Sequence, residues 1–293
     1  MSAPLALAIV LAVVIPVRLY RAYRPRDASV ERWADDHGLA LTTANRPLVV
    51  GYLRNARVLR TWGAVVGAIL PSLVELAWSG RVQVLGFGAD GESAPLGFGT
   101  ILVGYLVGAL SAELSLVRPV ARGRRAASLV PRELEHYLPP RVIVAQRAAA
   151  GAGALGALTI GLVPYAASTS DPGLTPCAIG AFALLAFGAG VEAIERWLVR
   201  RPQPFTHPQL VAADDAIRAH SIHALAGATL GLLLLLCTGV ALALQASDVP
   251  LLRSTMAVPA AACLVLSLVA CSHLVEASWR VRRPAGAGDA AST

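Results

Sequence analysis

The chain has 293 residues, of which 56% are apolar and only 15% charged, against roughly 45–50% and 25% in soluble domains, so the apolar excess has to face lipid. All 25 basic residues are arginine, and the net charge is +7. Without lysine there is no amine for a retinal or pyridoxal Schiff base and no Gly-Lys-Ser/Thr phosphate loop, which excludes a seven-helix rhodopsin and a nucleotide-loop ATPase.

Seven stretches of helix length follow one another, and together they predict an all-α, polytopic transmembrane bundle. The first, 3–20, has its apolar core over Ala3 to Val17, with no base before it and Arg18, Arg21, Arg24 and Arg26 after it. That is the reverse of a secretory signal's charge order, so it is expected to stay attached with its amino terminus outside. Its short core makes it the weakest of the seven. The others run over 62–78, 96–117, 148–167, 174–198, 222–244 and 256–279. Residues 1–284 thus form a single membrane domain, and the small, polar tail 285–293 is expected to be disordered.

Arginines alternate between the gaps. Nine follow the first apolar core, then one, seven, none, four, one and three. Only Arg81 and Arg253 fall on the sparse side, which puts the rich gaps and the carboxyl terminus in the cytoplasm. The positive charge belongs to one membrane face, where anionic headgroups are its natural partner and nucleic acid is not.

The arginine-rich gaps carry short amphipathic segments. Asn45-Arg46-Pro47 reads as a cap followed by proline at a helix start, and the helix it opens carries Leu48, Val49, Tyr52 and Leu53 with Arg54, Arg57 and Arg60. Pro131 to Tyr137 and Pro208 to His220 also mix apolar and charged residues at helical spacing. All three lead into outward-going spans and are expected to lie on the inner leaflet.

Arg118-Pro119, Arg201-Pro202 and Arg283-Pro284 close the third, fifth and seventh spans, with Glu113, Glu195 and Glu276 just upstream. This spacing fits three helical hairpins about an axis along the membrane normal. The plainer reading is that arginine and proline stand wherever a helix leaves the membrane.

Polar residues collect at the cytoplasmic ends of the spans. Glu192/Glu195, His220/His223 and His273/Glu276 are each spaced i, i+3 and so share a helix face, and together they compose a candidate metal-ligand set. Against it, Arg196, Arg280 and Arg218 stand four residues after Glu192, Glu276 and Asp214, the pattern of ordinary interfacial ion pairs with little charge burial. Glu75 is separate, an intramembrane acid between Leu73 and Trp78 with no neighbouring base, and is a candidate proton or cation relay. The four cysteines, Cys177, Cys237, Cys263 and Cys271, fall in or beside apolar stretches without a CxxC pair and read as small hydrophobes. No motif points to a cofactor or to catalytic residues.

Glycines recur in the spans: Gly104 and Gly108 in the third, Gly151, Gly153, Gly156 and Gly161 in the fourth, Gly180, Gly188 and Gly190 in the fifth. Close helix crossing is the expected use.

The segments Leu129 to Pro139, with its Pro131-Arg132-Glu133-Leu134-Glu135-His136-Tyr137 run, and Val211 to Leu225, with the lysine-free, alanine-rich usage, resemble uncharacterised multi-pass membrane proteins of high-GC actinobacteria. The resemblance implies a membrane bundle and carries no functional residue. The expected function is that of a non-enzymatic accessory or permease-like subunit whose inner face meets a cytosolic or membrane protein partner. Two alternatives stand beside it: a membrane enzyme with a metal at the cytoplasmic ends of spans five to seven, and a proton-coupled carrier using Glu75.

Overall fold

The computed structural model describes residues 16–17, 20, 23, 27–79, 96–116, 133–164, 173–201 and 207–276; within these, the side chains of 71–79, 96–100, 102, 113–116 and 273–276 fall outside the description. Every element among the described residues is helical: α1 (Asp27–Asp36), α2 (Arg46–Ser79), α3 (Leu96–Leu116), a 3-10 turn (Leu134–His136), α4 (Pro140–Ile160), α5 (Leu174–Arg200), α6 (Pro208–Gln245), α7 (Pro250–Thr255) and α8 (Ala257–Glu276). Three of them, α4, α5 and α6, are long and apolar enough to cross a membrane. The first expected span, apart from residues 16, 17 and 20, and the tail 285–293 lie outside the described residues.

The long helices pair in sequence order, α2 with α3, α4 with α5 and α6 with α8, and each pair is antiparallel. Gly63 lies against Gly104 while Leu59 lies against Gly108. Gln146 and Arg147, near the start of α4, reach Glu195 and Glu192 near the end of α5. Ser267 bonds the Gly231 carbonyl, and Thr238 reaches the Ala260 carbonyl. At the far end, Asp248 N donates to the Pro164 carbonyl at 3.1 Å, so α4 and α6 finish at the same side. The described helices thus form three antiparallel pairs, and the pairs are not equivalent; the Arg118-Pro119 and Arg283-Pro284 closures lie outside the described residues.

The inequivalence comes from α6. It packs against α2, α3, α4, α5, α7 and α8, and from Ala224 to Leu244 it carries no charged residue on any face, as suits a helix enclosed by others. Of its most hydrophobic stretch 67% is buried in protein, against 11% for α5. Sequence hydropathy alone is similar for the two, so burial distinguishes a central helix from a peripheral one. Many large apolar side chains are left outside, Phe182 and Val258 each 74% exposed among them, as suits helices that face lipid.

Two expectations about the lead-in segments are corrected. Pro208 to His220 is not a separate leaflet helix: it is the first third of the continuous 38-residue α6, and Ala213, Asp214 and Arg218 in it are buried in protein. The Arg46 to Arg60 segment is likewise continuous with its span in the 34-residue α2. Within 131–137 the described part, from Glu133, makes one 3-10 turn, which drives Leu134 and Leu138 into the main apolar cluster with Leu198, Val199 and Ile222. The apolar faces of these segments meet protein because α1 and the extended helices give them a core of their own, built from Val30, Trp33, Leu39, Val49, Tyr52 and Ile217. This cap closes one end of the bundle.

Glycine use is also more selective than the spacing implies. A methyl group at Gly63 would overlap the Gly104 carbonyl oxygen, and one at Gly108 the Leu59 carbonyl, so the α2/α3 crossing is closed by Gly63-x-x-x-Gly67 facing Gly104-x-x-x-Gly108. Gly151, Gly180 and Gly190 meet nothing within 4 Å and serve no crossing within the described chain.

Candidate functional site

The polar residues of the capped end fall into three groups, each made by a specific local structure. In the first, α1 stops in a Schellman turn: Gly38, at φ +61°, lets its own N–H reach the Asp35 carbonyl at 3.0 Å and the Leu39 N–H reach the Ala34 carbonyl at 2.8 Å. That stop fixes His37. Its Nδ1 donates to the Trp33 carbonyl at 2.7 Å, with the tautomer set by that acceptor, and its ring stacks on Trp33 at 4.3 Å. His220 of α6 stands edge-on to Trp33, His37 and Tyr52, at 5.9, 5.5 and 6.0 Å, and Arg60 Nη1 lies 3.5 Å from its Nε2. Tyr52 Oη and Ser221 Oγ share a hydrogen bond of 2.9 Å. Burial holds the His37 imidazole below the usual histidine range, against the opposing pull of the Trp33 carbonyl and the Asp36 carboxylate.

The loop that enters α2 is self-braced. Thr42 N–H donates to Asn45 Oδ1 at 2.8 Å, Asn45 N–H to Thr42 Oγ1 at 3.3 Å, and Asn45 Nδ2 to the Ala40 carbonyl at 2.9 Å. Asn45 therefore turns its side chain back into the loop, where the sequence suggested a forward cap on α2.

The second group is a clasp. Arg218 donates through Nε and Nη2 to Asp214 Oδ2 at 3.0 and 2.8 Å, and through Nη1 to the carbonyls of Leu198, Val199 and Arg201 at 3.2, 3.2 and 2.6 Å. Those carbonyls are at the end of α5, where the last turn has no intrahelical donors, and a cation there also meets the negative end of the helix dipole. Arg201 Nη2 donates to Asp214 Oδ1 at 3.2 Å. One guanidinium thus binds two helices.

The third group lies between α4 and α5. Glu192 is held by Arg147 and by Arg196. Glu195, one turn on, is fully enclosed, and its partner is the amide of Gln146, whose Nε2 donates to Oε1 at 3.2 Å.

The i, i+4 pairs Glu192–Arg196 and Asp214–Arg218 form as the spacing predicts. The expected shallow burial does not hold: Glu195, Asp214 and Arg218 are 0%, 3% and 2% exposed, because α6 and the cap bury these turns before they reach a membrane surface. Of the six proposed metal ligands, the four whose side chains are described have separate partners. Glu192 faces two arginines, Glu195 faces Gln146, His220 joins the aromatic group, and His223 turns its Nδ1 to the Ala219 carbonyl at 2.7 Å. Among the described residues no three His, Cys, Asp or Glu side chains converge on a point able to hold a metal ion. The side chains of His273, Glu276 and Glu75 lie outside the described residues.

Trp33, His37, Gln146 and the reach of Arg218 to the α5 carbonyls lie beyond the sequence reading. Trp33 and His37 were detectable as an i, i+4 aromatic pair ahead of a glycine stop, whereas Gln146 is a lone amide in an alanine-rich helix and gives no signal. Compared with protein-family models, curated proteins and solved structures, the chain matches none.

Proposed function

We propose that this chain is a seven-span protein of the cytoplasmic membrane, amino terminus outside and carboxyl terminus inside, and that it acts as a non-enzymatic accessory or permease-like subunit whose capped, arginine-rich face receives a protein partner. One observation carries the reading. At the capped end the indole, imidazole and hydroxyl groups of Trp33, His37, Tyr52, His220 and Ser221 are turned toward one another, and the Arg218 guanidinium toward Asp214 and backbone carbonyls, so the arrangement fastens a cap to a bundle. The alternating helix directions and the exposed apolar side chains support the threading, and the arginine count supports its orientation. The outer face of α1 presents Glu31, Arg32, Asp35 and Asp36 to solvent, a mixed-charge surface of the kind found at interface rims.

The test is purification of the full chain from its own membrane in mild detergent, with partner identification and metal analysis on one sample. The reading expects a stoichiometric protein partner whose recovery drops when Glu31 and Asp35 are replaced by arginine. Recovery of the chain alone, carrying a stoichiometric metal that Glu192→Ala or His223→Ala releases, would favour the enzyme alternative and overturn this one.

A further inference from the structure

Glu195 and Asp214 are both enclosed acids at the capped end, but their surroundings differ in kind. Asp214 meets Arg218 and Arg201. Glu195 meets a neutral amide: Gln146 Nε2 donates to Oε1 at 3.2 Å and also reaches the Ala226 carbonyl at 3.5 Å, while Oε2 is enclosed and has no hydrogen-bond partner among the described residues. Val191 and Leu198, one turn to either side on α5, belong to the main apolar cluster. A bare carboxylate in such a place is costly, whereas the acid form removes the charge and supplies a donor of its own.

There is a route to this group. Gln146 also lines a surface pocket of about 180 Å³, together with Arg147, Gly188 and Glu192. One hydrogen bond therefore separates the enclosed carboxyl from a pocket that opens at the surface, and the Glu192 carboxylate lines that pocket, clamped by Arg147 and Arg196. The groups that face the region are Gln146 and Arg147 from α4, Glu192 and Arg196 from α5, and the Ala226 carbonyl from α6.

We propose that Glu195 is a proton-exchange site, with Gln146 positioning its carboxyl group and the Glu192–Arg147 pair standing over the entrance through which the proton comes and goes. An ionisable group enclosed among membrane helices is the usual form of such a site. The proposal deepens the permease-like side of the reading above and depends on that reading for the use to which the proton is put.

Dicyclohexylcarbodiimide, which adds to carboxylic acids in apolar surroundings, tests it on the purified full chain in detergent between about pH 5 and pH 9, with the adduct mapped by mass spectrometry. The expected result is an adduct at Glu195 exceeding that at the arginine-clamped Glu192 by roughly tenfold or more and declining as pH rises. Glu195→Gln removes the adduct while keeping the wild-type elution volume, and Glu192→Gln, which frees the entrance, raises the rate at Glu195 roughly threefold or more. Folded wild-type protein that gives no Glu195 adduct at any pH, or one indifferent to pH, overturns the proposal. So does an unchanged rate in a folded Glu192→Gln variant. Partner capture in the same preparation is read separately, so a captured partner with an unlabelled Glu195 removes this inference and leaves the subunit reading standing.

Discussion

Arg218 and Asp214 stand one turn apart on α6 and bind each other through two nitrogens, at 3.0 and 2.8 Å, while the remaining end of the same guanidinium spans the last carbonyls of α5. Both side chains are almost completely enclosed. Removing one member leaves a buried carboxylate and three buried carbonyl oxygens without this donor, and breaking a buried pair in that way costs roughly 3–5 kcal/mol. Arg218→Ala is therefore expected to lower the thermal midpoint strongly. Arg218→Lys should recover only part of the loss, since an ammonium cannot reproduce the fork. The four free, half-buried cysteines provide the measurement, through the temperature at which a thiol-reactive dye gains access.

The crossing of α2 and α3 gives a prediction of opposite character, steric where the first is polar. Gly63→Ala places a methyl group on the Gly104 carbonyl, and neither backbone can yield without opening the whole crossing. Overpacking of this kind costs about 1–3 kcal/mol. Gly190→Ala, whose new methyl group meets nothing within 4 Å, is expected to unfold at the wild-type temperature. Equal midpoints for the two variants would show that the crossing is looser than the glycine pairing requires.

These two features also mark how far the sequence could be read. That the chain is helical, and that α4, α5 and α6 are long and apolar enough to cross a membrane, follows from apolar length, which is a strong, additive signal. The i, i+4 pairs of Glu192 with Arg196 and Asp214 with Arg218 were legible for the same reason, being local. Their burial was not. Whether a turn near a span end faces lipid headgroups or protein depends on what the cap does, and the cap is assembled from α1, α2 and α6, residues up to about 190 positions apart in the chain. Gly104 announced a close crossing, but its partner Gly63 had to be found in space. Glu195 looked like its neighbour Glu192 in sequence, and only the packing of α4 beside it separates a clamped surface carboxylate from an enclosed one.

The fastening of α1 should weaken in acid. His37 is buried between Trp33 and His220, with the Asp36 carboxylate acting on it from α1 and Arg60 of α2 standing on the far side of His220. Its folded-state affinity for protons is lower than that of the unfolded chain. The unfolded segment therefore binds more protons as pH falls below about 6.5, and the stability this histidine contributes is present above that value and lost beneath it. The protection factors of the amides over residues 27–45, which are exchange rates referred to the unprotected amide at the same pH, are expected to be high at pH 8 and to fall towards pH 5. His37→Phe, which keeps the stacking ring and removes the titration, should flatten that dependence. An unchanged acid response in the folded variant would assign the effect to another group.

Threading is the prediction on which the proposed function most depends, and it can be measured without knowing that function. If the arginine-rich gaps face the cytoplasm, a cysteine at Ser93, in the gap that holds Arg81, reacts with a membrane-impermeant maleimide on intact cells. A cysteine at Ser128, in the gap that holds Arg122, Arg124 and Arg125, reacts only after the membrane is opened. Both variants need the four native cysteines replaced by alanine or serine, and each is small enough at its half-buried site to be accommodated. The cap adds a constraint of its own. Because α1 is bonded to α2 through Arg46 and Asp27, at 2.8 Å, and through Arg57 and Ser29, at 3.4 Å, a cysteine at Glu31 must share the protection of Ser128. Labelling of Glu31→Cys from outside, with Ser128→Cys protected, would place the cap and the arginine-rich gap on opposite faces, an arrangement that a cap packed on the starts of α2 and α6 does not permit.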